Sequence, residues 1–320
     1  MRWWNKLRGA LRRVAMCSKG GVRAPWKLIA ACAAYLAWAW AAAYLLSAGF
    51  AALFSAWNLS GATYAQAPAW ARWLYENYGR IVSLITSAGT VALSYLLLRL
   101  FARARFERLC ARDFGVGALV GAAMVGLGAG AFLLLDAMRL YERGFFLHAD
   151  MLWMLPVYLA AALAEERFAR TLTMRVATLR ARPVWGYVST ALVFTAITGS
   201  YSLGALGLVN MLLTCAACAR WSATGRGAAS VGMRFAWSYA ANALIAFPGG
   251  ETGAQAGARL YDVSDAWLTG GAKGLICGAW MTLALVCVCL VLYREVLRVA
   301  WKTLRKRRGA SPRQRRKSAQ

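Results

Sequence analysis

Apolar residues in this chain come in blocks long enough to cross a lipid bilayer, and no other feature constrains the fold as strongly. Eight stretches stand out, near 28–52, 81–102, 115–136, 149–166, 184–202, 203–221, 228–247 and 271–293. Several reach the ~20 residues that a helix needs to span a hydrocarbon core. With 60% of its residues hydrophobic and 16% charged, the chain is too apolar for an ordinary soluble protein of 320 residues. The expected fold is therefore all-α, a polytopic membrane helix bundle with about eight transmembrane helices. The fourth to sixth stretches are short or interrupted by Gly and polar residues, which is tolerated where neighbouring helices cover them.

Charge distribution predicts the orientation. Lys and Arg crowd the N-terminus (Arg2, Lys6, Arg8, Arg12, Arg13, Lys19, Arg23, Lys27), then 99–112, 167–182 and the tail after Arg294. The alternate loops, 58–79, 137–148, 199–202 and 248–269, are poor in basic residues and hold much of the acid. By the positive-inside rule both termini are expected to be cytoplasmic, which agrees with an even number of spans, in the plasma or inner membrane of the cell. The net charge of +26 then reports topology and contact with a lipid bilayer whose inner leaflet is anionic. The basic stretches lack the aromatic or motif context that nucleic acid would need, so no nucleic-acid partner is expected.

These patterns divide the chain into a basic cytoplasmic segment 1–27, N-terminal transmembrane helices 28–148, a transmembrane core 149–293 and a basic tail 294–320. Residues 1–27, with Trp3 and Trp4, resemble the start of a signal peptide, yet the apolar run that follows is much longer than ~7–15 residues and reads as an uncleaved helix. From Arg298 onward the tail has ten Lys or Arg and no acid; it is expected to be helical to about Arg308. Of the eight cysteines, Cys17 and Cys110 fall on the cytoplasmic side and six lie within spans. Cys215 and Cys218 form a C-x-x-C among small residues at helical spacing, which points to close helix packing. No second C-x-x-C completes a tetrahedral metal site. The lone histidine, His148, stands at the outer end of the fourth span, and one His excludes any constellation of two. Asn58-Leu-Ser60 is a glycosylation sequon on the expected outer side.

Against this background Glu165 and Glu166 are conspicuous. Only 12 residues of the chain are Asp or Glu, yet these two stand together at the end of the apolar run Met151 to Leu163. Ionisable groups at membrane depth are costly and mark a functional site by default. The pattern Glu165-Glu166-x-x-x-Arg170 resembles the first motif of the CPBP family, which comprises CAAX prenyl protease type 2 and the bacteriocin-processing or immunity (Abi) proteins. Val193-Phe194-Thr-Ala-Ile-Thr198 is similar to the family's second motif, F-x-x-x-H. Asn210 and Thr224-Gly225 resemble its Asn-containing helix and turn. Val231-Gly232-Met233-Arg234-Phe235-Ala236-Trp237-Ser238 is similar to G-L-H-F-A-W-N, and Trp267-Leu268-Thr269-Gly270-Gly271 with Gly274 to W-L-T-G-G-x-x-G. The likeness covers about 150 to 285.

The resemblance implies an intramembrane metalloendopeptidase in which glutamate activates water and histidine and asparagine complete the site. Glu165, Glu166 and Arg170 keep the catalytic first motif, and Phe194 is kept in the second. Thr198 and Arg234 stand where the two histidines belong, Ser238 replaces the third-motif Asn, and Ile276 replaces an acidic residue. Thr and Ser make poor metal ligands at neutral pH and Arg makes none, which argues against metal-assisted hydrolysis. No cofactor is expected, and zinc enters only if an atypical peptidase is retained.

Arg234 and Ser238 are four apart and share a helix face, so a kept fold aims Arg234 at Glu165 and Glu166. On the other reading, the two carboxylates reach the headgroups and pair with Arg167 and Arg170. Three functions follow: an inactive family member that binds or scaffolds membrane-associated peptides or proteins; an atypical endopeptidase using Glu165 and Glu166; and a transporter or channel, for which the Gly-rich span Gly115 to Gly130 is generic support.

Overall fold

The computed structural model describes residues 23–57, 64–141, 145–179, 182–198, 200–248, 256–263 and 266–309. The sequon Asn58–Ser60, Cys17, Trp3 and Trp4 and the tail beyond Gly309 lie outside them. The described residues form eight helical rods, one for each apolar block. They are α1 (Ala24–Ala56), α2 (Ala69–Ala102), α3 (Ala111–Leu134), α4 (beginning as Ala149–Glu165), α5 (Pro183–Thr198), α6 (Gly204–Ala223), α7 (beginning as Gly227–Tyr239) and α8 (Ala279–Gly309). Five of them, α1, α2, α3, α6 and the Ala279–Val299 part of α8, are long and apolar enough to cross a membrane. The α-helical parts of α4, α5 and α7 have 17, 16 and 13 residues, short of the ~20 of a span, although α4 and α7 continue beyond them in π geometry.

The structure corrects the expected course of the chain around the carboxylates. Residues 167–182, taken from their charge as a cytoplasmic loop, are helical as far as Thr178: α4 runs on through a π-helical stretch, Glu166–Leu172, into a further α-helical turn, Thr173–Thr178. Glu165 and Glu166 thus stand inside a long rod and not at its end. Arg167 and Arg170 are buried, and their charges find partners within the protein, so they do not terminate the helix. A π segment widens the turn and re-aims side chains, and such insertions recur at functional sites. The α7 rod also finishes in π geometry, Ala240–Leu244.

The architecture is all-α as expected, with three short strands added to it. β1 (Met138–Leu140) follows α3, β2 (Ile245–Ala246) follows α7, and β3 (Ala258–Asp262) lies between them, antiparallel to β1 and parallel to β2. Strands this short leave no alternation pattern in the sequence.

The α3–α7 contact orders the core. These rods run parallel and so close that a Cβ on Gly117 would lie 1.9 Å from the Ala229 carbonyl oxygen, and one on Gly232 2.1 Å from that of Phe114. Small residues at such crossings let backbones touch where lipid offers no hydrophobic drive to associate. Met124, Val125, Phe132, Met233, Trp237, Met281 and Leu285 fill the core that results. A second cluster, with Ala31, Leu98, Phe168 and Val176, holds α1 and α2 against α4. Outward faces carry Leu36, Trp40, Leu100, Leu134 and Leu152, all exposed; patches this apolar are a liability in water and matched to a lipid surround.

Candidate functional site

Glu165 and Glu166 project from α4 toward α6 and α7. Adjacent helix positions point about 100° apart, so the neighbours meet different partners. Glu165 faces α7, where Arg234 grips it in a two-pronged contact: Nε donates to Oε2 and Nη2 to Oε1, each at 2.8 Å. Parallel bonds of this kind between guanidinium and carboxylate are the strong, geometrically specific form of ion pair. The Arg234 guanidinium also lies over Trp237, whose ring centre is 5.3 Å from its Cζ.

Glu166 faces inward and is 1% exposed. Its Oε1 accepts a hydrogen bond from Ser222 of α6, and its Oε2 accepts one from Ser230 of α7 and one from Arg170, whose Nη1 is 3.3 Å away. Arg170 is fully buried. Its guanidinium lies 4.6 Å over the Phe194 ring, a cation–π contact with α5, and Nη2 stands 4.0 Å from Glu165 Oε2. Two carboxyl groups and two guanidiniums therefore form one cluster of balanced formal charge joining α4, α5, α6 and α7. Every carboxylate oxygen already has a protein donor, and a general base needs a free lone pair aimed at its proton.

Of the two pairings the sequence left open, the structure places Arg234 on Glu165 alone and leaves Glu166 to Arg170 and two serines. Arg167 does not join the carboxylates: Nη2 donates to the Glu107 carbonyl at 3.3 Å, and its Cζ sits 4.5 Å from the Phe106 ring centre. Phe194 reaches the cluster through Arg170, whereas Thr198, one turn on, donates to the Phe194 carbonyl at 2.7 Å. Ser238, one turn beyond Arg234, has its carbonyl bonded to Asn242. Cys215 and Cys218 are buried between core clusters as free thiols, and His148 precedes the first turn of α4. Ser222 and Ser230 were missed in the sequence. Ser230 had a signal, since it stands four residues before Arg234 on the same helix face. Ser222 had none.

Asn210 acts away from the cluster. Fully buried on α6, it donates to the carbonyls of Ile276 (2.7 Å) and Gly278 (3.1 Å), and its Oδ1 accepts from Thr282. It thereby clamps the glycine turn that precedes α8. That turn needs its glycines: Gly270 has φ +94°, and a Cβ there would lie 2.0 Å from the Gly274 carbonyl oxygen.

The residues do not fit zinc. Among the described residues no group of three or more His, Cys, Asp or Glu comes together to hold a metal ion. Where the resemblance places an imidazole, Arg234 brings a fixed positive charge against the carboxylate a metal would use. No protein-family model, curated protein or solved structure matches this chain.

Proposed function

We propose that this chain is a catalytically inactive integral membrane protein of the CPBP (CAAX protease and Abi) family, which binds or scaffolds membrane-associated peptides or proteins. On this reading all eight rods cross the plasma or inner membrane, with both termini in the cytoplasm and the basic ends against the anionic leaflet. The observation that carries the proposal is the two-pronged contact of Arg234 with Glu165. In the family resembled, the glutamate activates water; here it is bound to a guanidinium that cannot give up its charge. Glu166, the other candidate base, is closed off by Ser222, Ser230 and Arg170.

The test uses the purified full chain in nanodiscs with a farnesylated CAAX peptide. Saturable binding without cleavage, with the same affinity in the wild type and in Glu165→Gln, is the expected result. Cleavage lost in Glu165→Gln would establish the atypical endopeptidase instead, and absence of both binding and cleavage would remove the peptide-binding role. Zinc content of the same sample adds a second readout, with stoichiometric zinc contradicting the inactive reading.

A further inference from the structure

A cavity of about 460 Å³ opens beside the charge cluster, between the α2–α3 connection, the last turns of α4 and α6, and the starts of α5 and α7. Its charged lining is four arginines, Arg108, Arg167, Arg175 and Arg220, against one glutamate, Glu107. The excess of three positive charges is not cancelled within the wall. Glu107 pairs with Arg175, Arg167 spends a donor on a backbone carbonyl, and Arg220 makes, among the described residues, a long contact to the Leu292 carbonyl at 3.5 Å while resting near the Tyr293 ring. Arg108 stands exposed at the rim. Leu109, Met174, Pro183 and Tyr187 supply an apolar wall. Gly227 and Ala228 also line the cavity and begin α7, so the positive end of that helix adds to the field.

We infer that this cavity binds a phosphate-bearing ligand, with the phosphate held by the arginines and an apolar tail lying against the Leu109–Tyr187 wall. Guanidinium forks match phosphate oxygens in geometry and charge, and basic pockets between membrane helices on the cytoplasmic side take lipid headgroups. The ligand is an anionic lipid headgroup or a free phosphate, and the experiment separates the two. The inference does not depend on the peptidase resemblance, because none of the four arginines belongs to a motif cited for it.

The test is native mass spectrometry of the full chain released from nanodiscs containing phosphatidylcholine with either phosphatidic acid or no anionic lipid. A competition arm uses inorganic phosphate. Arg108→Gln and Arg175→Gln change exposed side chains and spare the fold; Arg294→Gln and Arg298→Gln, exposed on α8, remove the same charge outside the cavity. Expected is retention of phosphatidic acid over phosphatidylcholine, weakened about tenfold by each cavity substitution, the loss of one charge-assisted contact, and unchanged by the α8 pair. Retention that inorganic phosphate abolishes, with no preference among lipids, assigns the same site to free phosphate. Equal loss from cavity and α8 substitutions would reduce the effect to general surface charge and overturn the inference, as would indifference to both phosphate probes.

Discussion

Replacing Arg234 by Met keeps most of the side-chain volume beside Trp237 and removes the charge opposite Glu165. In the wild type that charge makes two bonds of 2.8 Å, with Arg234 12% and Glu165 23% exposed at their side chains. Once it is gone, the nearest cation to Glu165 is Arg170 at 4.0 Å, without a hydrogen bond. A gross Coulomb attraction at that separation is ~4 kcal/mol in a medium of intermediate polarity. Desolvation of Glu165 and the competing claim of Glu166 on Arg170 consume much of it. Stranding one partner of a buried pair typically costs ~3–5 kcal/mol, and the quarter exposure of Glu165 places Arg234→Met near the lower end, about 3 kcal/mol. Glu165→Gln strands Arg234 in turn and should cost a similar amount. The double variant leaves neither charge alone and is expected within ~1 kcal/mol of the wild type, a coupling of at least ~2 kcal/mol. Equilibrium unfolding of all four proteins in mixed micelles with rising dodecyl sulfate, followed by tryptophan fluorescence, closes the cycle. Losses that simply add to within ~0.5 kcal/mol would refute the reasoning, because independent sites behave that way.

Other contacts give further outcomes in the same assay. Ser222→Ala and Ser230→Ala each remove a donor from the buried Glu166 carboxylate and should cost ~1–3 kcal/mol, with the double variant worse than either. Gly117→Ala drives a methyl group into the Ala229 carbonyl and should destabilise by ~1–3 kcal/mol or more; Gly126→Ala and Gly130→Ala, which meet nothing within 4 Å, should stay within ~0.5 kcal/mol of the wild type. Asn210→Leu leaves the carbonyls of Ile276 and Gly278 without their donor and should cost ~2–4 kcal/mol, visible also as faster proteolysis at the turn before α8. In each case the opposite ranking would count against the packing described.

Much of the helical architecture was legible because its cause is local. A block of apolar residues demands a helix wherever lipid replaces water, and each of the eight blocks became a rod. The block boundaries failed where charge was taken as a marker of solvent. Arg167 and Arg170 looked like the start of a loop, but Arg170 is paired with two carboxylates and covered by a phenyl ring, while Arg167 keeps its charge and is held by a backbone carbonyl and the Phe106 ring. Such partners come from 60 and more residues away in some cases, beyond any periodicity in the sequence. The three-stranded sheet was hidden for the same reason: β1 and β2 exist because α3 and α7 end side by side, with β3 between them.

At the carboxylates the division is sharper. That Glu165 and Glu166 need counter-charges is written in the residue types alone, since two adjacent acids beside an apolar run are costly unpaired and the chain holds a single histidine. Which acid takes which cation is a matter of tertiary geometry. Helical rotation between neighbours turns Glu165 toward Arg234 and Glu166 toward Arg170, Ser222 and Ser230, and the packing of α4 against α7 brings Arg234 within reach of Glu165. Composition settled that charges had to be paired; only the packing of four helices decided the pairs.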